Sequence, residues 1–111
     1  LLTIDAARPV KEAIDLIRQH SISVVPVLRE DKVVGTATES SLMRLVFEKP
    51  EMQHVPVSEV MEGPLPRLTP RDSVKAAIRL LSKKTPAVLV AVGDNPVGIL
   101  TSYDLIDYIS H

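Results

Sequence analysis

Val97-Gly98-Ile99-Leu100-Thr101-Ser102-Tyr103-Asp104-Leu105 decides how this chain is read, because it echoes Val34-Gly35-Thr36-Ala37-Thr38-Glu39-Ser40-Ser41-Leu42, 63 residues earlier. In both, a glycine is followed by two small or apolar residues and a threonine, and a helical stretch follows. Val10-Lys11-Glu12-Ala13-Ile14-Asp15-Leu16 likewise returns as Val74-Lys75-Ala76-Ala77-Ile78-Arg79-Leu80, 64 residues on, so one residue was lost between the two blocks. An internal repeat of this kind implies one supersecondary unit used twice, its copies related by an approximate two-fold axis. The copies differ at one chemically decisive position: Asp104 stands where the first has Ser41.

Working outward, Leu1 to Ile4 reads as a short strand, and Pro9 suits the first position of a helix. Val10, Ala13, Ile14 and Ile17 keep the i, i+3, i+4, i+7 spacing of an amphipathic helix that ends near His20. Val24 to Leu28 and Val33 to Ala37, joined by the polar turn Arg29-Glu30-Asp31-Lys32, form a hairpin, and Ser40 to Phe47 is helical. The second copy follows suit. Pro66 to Thr69 enters a strand, and Asp72 is placed to cap the helix carrying Val74, Ala77, Ile78 and Leu81. Ala87 to Val92 and Val97 to Leu100 flank the turn Gly93-Asp94-Asn95, and Ser102 to Ser110 closes the chain as a helix. Each half is therefore β-α-β-β-α, an α+β fold, with repeats at 1–48 and 67–111 around a proline-rich connector at 49–66 in which Val57 to Met61 makes a helical turn. The unbroken apolar runs at 87–92 and 97–100 predict strands covered on both faces.

Composition narrows the function. The 111 residues fit one compact domain, and a half of this size buries too little apolar surface to stand alone, so a shared core is expected. Phe47, Tyr103 and Tyr108 are the only aromatics, so the core is aliphatic and a flat ligand would lie between Val, Ile and Leu side chains. A net charge of −1 without a basic stripe argues against nucleic acid. The lack of cysteine excludes disulfides and thiolate metal sites and suits a cytoplasmic setting. No apolar run is long enough to span a bilayer. The opening Leu1-Leu2-Thr3-Ile4 reads as a strand without its start, as in a piece of a longer protein.

Gly98 to Asp104 sits where a strand passes into a helix, a junction that presents backbone N–H groups and the positive end of the helix dipole. Asp104 can accept hydrogen bonds from two neighbouring hydroxyls at once, which a ribose presents, and Thr101 adds a hydroxyl. The same Thr-x-x-Asp spacing also fits a capping box, which needs no ligand. On spacing alone the cap is the commoner outcome.

The repeated β-α-β-β-α pattern, the two Gly-x-x-Thr segments, Val25-Pro26-Val27 in the middle strand and Val60-Met61 before the second copy together resemble the CBS-domain pair, or Bateman module, over essentially all 111 residues. The resemblance implies that Thr101 and Asp104 hold the ribose of an adenosyl ligand, with Ile99, Ser102 and Tyr103 beside it. It also implies that Leu2, Thr3, Ile22, Ser23, Val24 and Val25 line the same cleft, and that Thr38, Ser41, Leu65, Thr85, Pro86 and Ala87 form a second, weaker one. A charge-assisted hydrogen bond is worth about 1.5–3 kcal/mol against about 1 for a neutral one, so Ser41 for Asp104 predicts a gap of about tenfold or more in affinity. The positions before the two middle strands, Ser23-Val24 and Pro86-Ala87, carry no cation for a phosphate, although Arg44, Arg67, Lys83 and Lys84 remain within possible reach. S-adenosylmethionine is thus favoured over AMP, ADP or ATP. The tail Gly98 to Ile109 and the Met61 to Pro66 connector look most like the C-terminal regulatory module of cystathionine β-synthases, which implies an attached pyridoxal-phosphate enzyme.

No catalytic constellation is present. His20, His54 and His111 have no metal-ligand spacing, the glutamates form no acid–base pair, and Ser40-Ser41 lacks a base, so an enzyme is not expected. Apolar residues surround most of helix 40–47, interrupted by Arg44, and of helix 102–110. Helices apolar on more than one face pack on more than one side, which predicts a homodimer through these two helices.

Overall fold

A computed structural model describes all residues except 82–84, 86 and 111, and the side chains of residues 108–110 are likewise outside it. It resolves into two compact units, Leu2–Pro64 and Leu65–His111, the latter joined by Leu1. In the first, β1 (Ile4–Asp5) leads through α1 (Val10–His20) to β2 (Val24–Arg29), which pairs parallel to β1, and β3 (Lys32–Thr38) returns antiparallel before α2 (Glu39–Glu48). The second runs likewise: β4 (Arg67–Leu68), α3 (Val74–Leu80), β5 (Ala87–Val92), β6 (Asn95–Thr101), α4 (Ser102–Ser110). The sheet orders are β1-β2-β3 and β4-β5-β6, so β3 and β6 are edge strands within their sheets. A parallel pair needs a crossover, and α1 and α3 supply it.

Local chemistry sets the boundaries. Glu30 and Asp31 both take positive φ, 50° and 67°, as a two-residue type I′ hairpin turn requires. The second hairpin instead places Gly93 at φ 62° in the first turn position. Each hairpin carries a bulge at the equivalent residue, Val34 or Val97, where the register slips by one. α1 stops at Ser21, which turns left-handed (φ 51°, ψ 44°) and returns its N–H to the Ile17 carbonyl.

Several boundaries differ from the sequence expectation. The first strand lies at Ile4–Asp5, not from Leu1, since only Ile4 and Asp5 reach Val27 and Leu28 of β2. Pro9 is the N-cap of α1, one residue before the predicted position, in extended conformation (ψ 150°). Ser73, not Asp72, caps α3 by accepting from the Ala76 N–H at 3.2 Å. α3 ends at Leu80, one residue earlier than predicted, and Leu81 is extended. The connector contains a 3₁₀ turn at Pro50–His54 that the proline count concealed, besides one at Val57–Glu59.

The main buried cluster, from Ile4 and Val10 through Val25, Val27 and Leu42 to Val57, lies within the first unit. The second unit buries Ala77, Ala87, Val88, Leu89, Ala91 and Leu105. The prediction that 87–92 and 97–100 are covered on both faces holds for most of β5 but not for β6. Val97 is 46% exposed and Ile99 and Leu100 are half-buried.

Candidate functional site

β6 ends at Thr101 and α4 starts at Ser102, so Thr101 and Asp104 meet across the first turn. Asp104 Oδ2 accepts from the Thr101 N–H at 2.8 Å and from its hydroxyl at 3.1 Å, while Thr101 Oγ1 receives the Asp104 N–H at 3.4 Å. This is a reciprocal capping box, so the capping reading of the motif is present. Both bonds to the carboxylate fall on Oδ2, and Asp104 is solvent-exposed. An ionised carboxylate has about four acceptor positions over two oxygens, and the box engages one oxygen only.

Thr69 and Asp72 repeat the device outside any helix. Asp72 Oδ2 accepts from the Thr69 N–H at 2.7 Å and its hydroxyl at 3.2 Å. The box is therefore a folding device of this chain, and what distinguishes Asp104 is its place in the first turn of a helix, where a negative charge is favoured. At the equivalent junction in the first unit, Thr38 Oγ1 accepts from the Ser41 N–H at 3.4 Å, and Ser41 offers no carboxylate in return.

The other predicted residues fall as follows. In the second unit, Ser102 and Tyr103 are exposed, Tyr103 at 82%, and Ile99 is half-buried. Thr85 and Leu65 are half-buried, whereas Ala87 is fully enclosed. Pro86 lies outside the described residues, as do Lys83, Lys84 and His111. In the first unit, Leu2, Thr3, Ile22, Val24, Thr38 and Ser41 are half-buried and Ser23 is exposed, but Val25 is fully enclosed in the core. Arg67 sits on the β5–β6 turn, donating to the Gly93 carbonyl at 3.5 Å and lying 3.6 Å from the Asp94 carboxylate.

Sequence reasoning missed a cavity of about 630 Å³ in the first unit. Ile14 and Ile17 of α1, Leu42 and Met43 of α2, and the Ser21 to Ser23 loop line it, with Arg18 and Glu39 among its polar members. It includes two of the predicted ligand residues, Ile22 and Ser23. Its sequence signal was the apolar face of α1 continuing beyond what one sheet needs, set opposite the same surplus on α2. Arg18 lies 3.4 Å from Asp15, so its charge is partly answered locally. Among the described residues, no group of His, Asp or Glu is arranged to hold a metal ion, and no helix is long and apolar enough to cross a membrane.

The geometry defines a class: a tandem of β-α-β-β-α repeats, each with a small mixed sheet and a threonine at the entry to its last helix. The CBS-domain family model matches residues 1–48 and 57–111, and the chain belongs to that family. The chain is 31% identical over 102 residues to an uncharacterised 33.4 kDa protein in a ribosomal RNA operon of Thermofilum pendens, covering 90% of this chain and 33% of that protein. It thus spans about a third of that relative's length. It is 28% identical over 104 residues to the CBS domain-containing protein YhcV of Bacillus subtilis, covering 93% of this chain and 74% of that one. A putative signal-transduction protein with CBS domains from Burkholderia ambifaria superposes with TM-score 0.85 at 22% identity, over 98% of this chain and 82% of that one, which speaks for the fold alone. CBS pairs as a class are regulatory, ligand-binding modules.

Proposed function

We propose that this CBS pair is a cytoplasmic sensor of an adenosyl compound, S-adenosylmethionine ahead of AMP, ADP or ATP, and that binding regulates a catalytic domain attached to it, of the cystathionine β-synthase kind. The observation that carries the reading is the Asp104 carboxylate, exposed at a helix N-terminus with Oδ1 outside its capping pair. One oxygen serves the fold and the other remains for a ribose hydroxyl. The neutral Ser23 and Val24 and the engagement of Arg67 by the β5–β6 turn support a ligand without phosphates. Exposed apolar residues on the two predicted contact helices, Met43 (54%) and Phe47 (88%) on α2 and Tyr103 (82%) and Ile106 (61%) on α4, support a homodimer. A ligand regulates such an assembly only through different contacts in its two states.

A second reading has its own observation. The closed Thr101–Asp104 box accounts for both residues without a ligand, as in a module that only dimerises. Calorimetric titration of Asp104→Asn separates the two. Asparagine still caps a helix, so the melting temperature holds, while S-adenosylmethionine affinity falls about tenfold or more if the charge grips the ribose. Equal affinity in the variant rejects Asp104 as the ribose contact. A wild-type melting temperature unmoved by saturating S-adenosylmethionine, AMP, ADP and ATP leaves the dimerisation reading standing.

A further inference from the structure

The connector meets β3 through a methionine and a short strand-like pairing. Thr36 N–H donates to the Glu62 carbonyl at 2.9 Å, the Glu62 N–H returns to the Thr36 carbonyl at 2.9 Å, and the buried Thr36 hydroxyl donates to the Gly63 carbonyl at 2.8 Å. Met61 comes just before this pairing, and its side chain lies on the backbone of Gly35. A Cβ on Gly35 would collide with Met61 Sδ, and would lie 2.7 Å from the Glu62 carbonyl oxygen and 2.9 Å from Met61 Cγ. Met61 packs against the buried cluster of the first unit but is only half-buried, and Glu62 and Gly63 beside it are exposed. The thioether is therefore both part of the packing and within reach of small solutes.

The chain has no cysteine, so its three methionines are the sulfur groups open to a mild oxidant. They are not equivalent. Met43 is 54% exposed on α2, where a sulfoxide would be hydrated without disturbing any packing. Met52 lies in the 3₁₀ turn Pro50–His54, away from the sheet pairing. Met61 alone is seated on a strand, next to the bonds that tie the connector down. With a hydroperoxide as oxidant, the sulfur gives an electron pair to the nearer peroxide oxygen and the O–O bond breaks. The proton on the transferred oxygen passes to the other oxygen, which leaves as water or an alcohol. Sulfur is oxidised by two electrons and the peroxide is reduced by two. The product is polar and chiral where a flexible apolar group had been. Its oxygen has no room on the Gly35 side, and packing it against the cluster strips it of water.

We propose that Met61 is a redox-sensitive latch: oxidation of its thioether by a hydroperoxide lifts Met61-Glu62-Gly63 off β3, and reduction of the sulfoxide seats the segment again. The three hydrogen bonds from Thr36 and Glu62 open together, because all of them depend on the same short stretch lying flat. The segment leads directly into the second repeat, so its release lengthens the unpaired part of the connector. On the strand side, Thr36 stands two residues before Thr38, which caps α2, so the loosening starts beside that helix entry.

The test is amide hydrogen exchange by NMR on the full chain before and after mild hydrogen peroxide, with mass spectrometry locating the added oxygen. The expected result is oxygen on Met61 and exchange at Thr36 and Glu62 faster by about tenfold or more, while the Val25 and Val27 amides of β2 keep their protection. Thiol-dependent reductases acting on both sulfoxide epimers restore slow exchange. Met61→Leu keeps an apolar side chain without sulfur, and peroxide leaves its Thr36 and Glu62 amides unchanged although Met43 and Met52 are still oxidised. The double variant Met43→Leu, Met52→Leu leaves the Gly35 contact intact and responds as wild type does, which keeps the test decisive if Met61→Leu folds poorly. The proposal is overturned if Met61 takes up oxygen with no change at Thr36 and Glu62, or if the double variant fails to respond. It is equally overturned if peroxide speeds these amides in a folded Met61→Leu, or if Met61 is oxidised only once the β2 amides have opened as well.

Discussion

The first repeat spends its side chains on closure where the second leaves polar groups facing outward. Around β3, Gly35, Thr36 and Ala37 are all buried, and the connector seals them, whereas Gly98, Ile99 and Leu100 at the same positions in β6 stay half-exposed. At the next turn the balance reverses. Thr38 receives one bond from the Ser41 N–H, while Thr101 is held by three bonds to Asp104. Duplication gave both halves one backbone plan. Divergence put the carboxylate in one copy only.

Gly35→Ala tests that contrast most severely. Its methyl meets the Glu62 carbonyl oxygen and the Met61 thioether, so one of them must shift and the variant should cost about 2 kcal/mol in a denaturation series. Gly98→Ala should stay within about 0.5 kcal/mol of wild type. Equal losses would mean that the sealed edge is not what separates the repeats. Thr36→Val follows in size. It removes the hydrogen bond to the Gly63 carbonyl from a residue 2% exposed, but Gly63 itself is exposed and water can reach its carbonyl. The cost should be about 1 kcal/mol. A neutral result would show that the hydroxyl contributes nothing to holding the connector.

Ser41→Asp sharpens the contrast from the other side by giving α2 the return acceptor that α4 has. A carboxylate in the first turn, free to accept the Thr38 N–H, should stabilise the protein by about 0.5–1 kcal/mol. If the carboxylate also governs binding, it should raise the affinity of the weaker cleft for S-adenosylmethionine. A gain in stability without a second binding event would confine the role of this position to capping.

Much of the fold was legible because its signals are local and stated twice. Alternating apolar runs, Glu30-Asp31 and Gly93-Asp94 between strands, and the helical spacing from Val10 and Val74 each specify an element within about a dozen residues. The strand at Ile4–Asp5 was misplaced by being so short that pairing with Val27 and Leu28, not its own composition, defines it. Asp72 was misread as a cap because Thr69 competes for its carboxylate. The site was legible only as an ambiguity, since Thr-x-x-Asp serves a helix end and a sugar equally well. The sealed edge was invisible because it depends on backbone pairing between residues 26 apart, Thr36 and Glu62, and no side-chain pattern announces such a bond. The one clue was a threonine at a buried strand position where the other copy has isoleucine.

The smallest expected difference between the repeats lies at the start of their first helices. Arg8 and Glu12 form a two-bond ion pair, one contact being from Arg8 Nη2 to Glu12 Oε1 at 2.8 Å. The second copy has Asp72 and Ala76 in their places and forms no such pair. The hydrogen bond from Arg8, more than its charge, holds the Glu12 carboxyl below the usual carboxylate range against the opposing effect of desolvation. A group whose pKa falls on folding binds its proton more readily when unfolded. Its contribution is therefore present above the unfolded value, about 4.3, and is lost as pH falls through the folded one. Both side chains are substantially exposed, so water and salt leave little of the attraction. Glu12→Gln should consequently melt only marginally below wild type at pH 7 and low salt, and the gap should close both in molar salt and below the carboxylate range. A gap that persists in acid would trace to helix propensity or packing rather than to this pair.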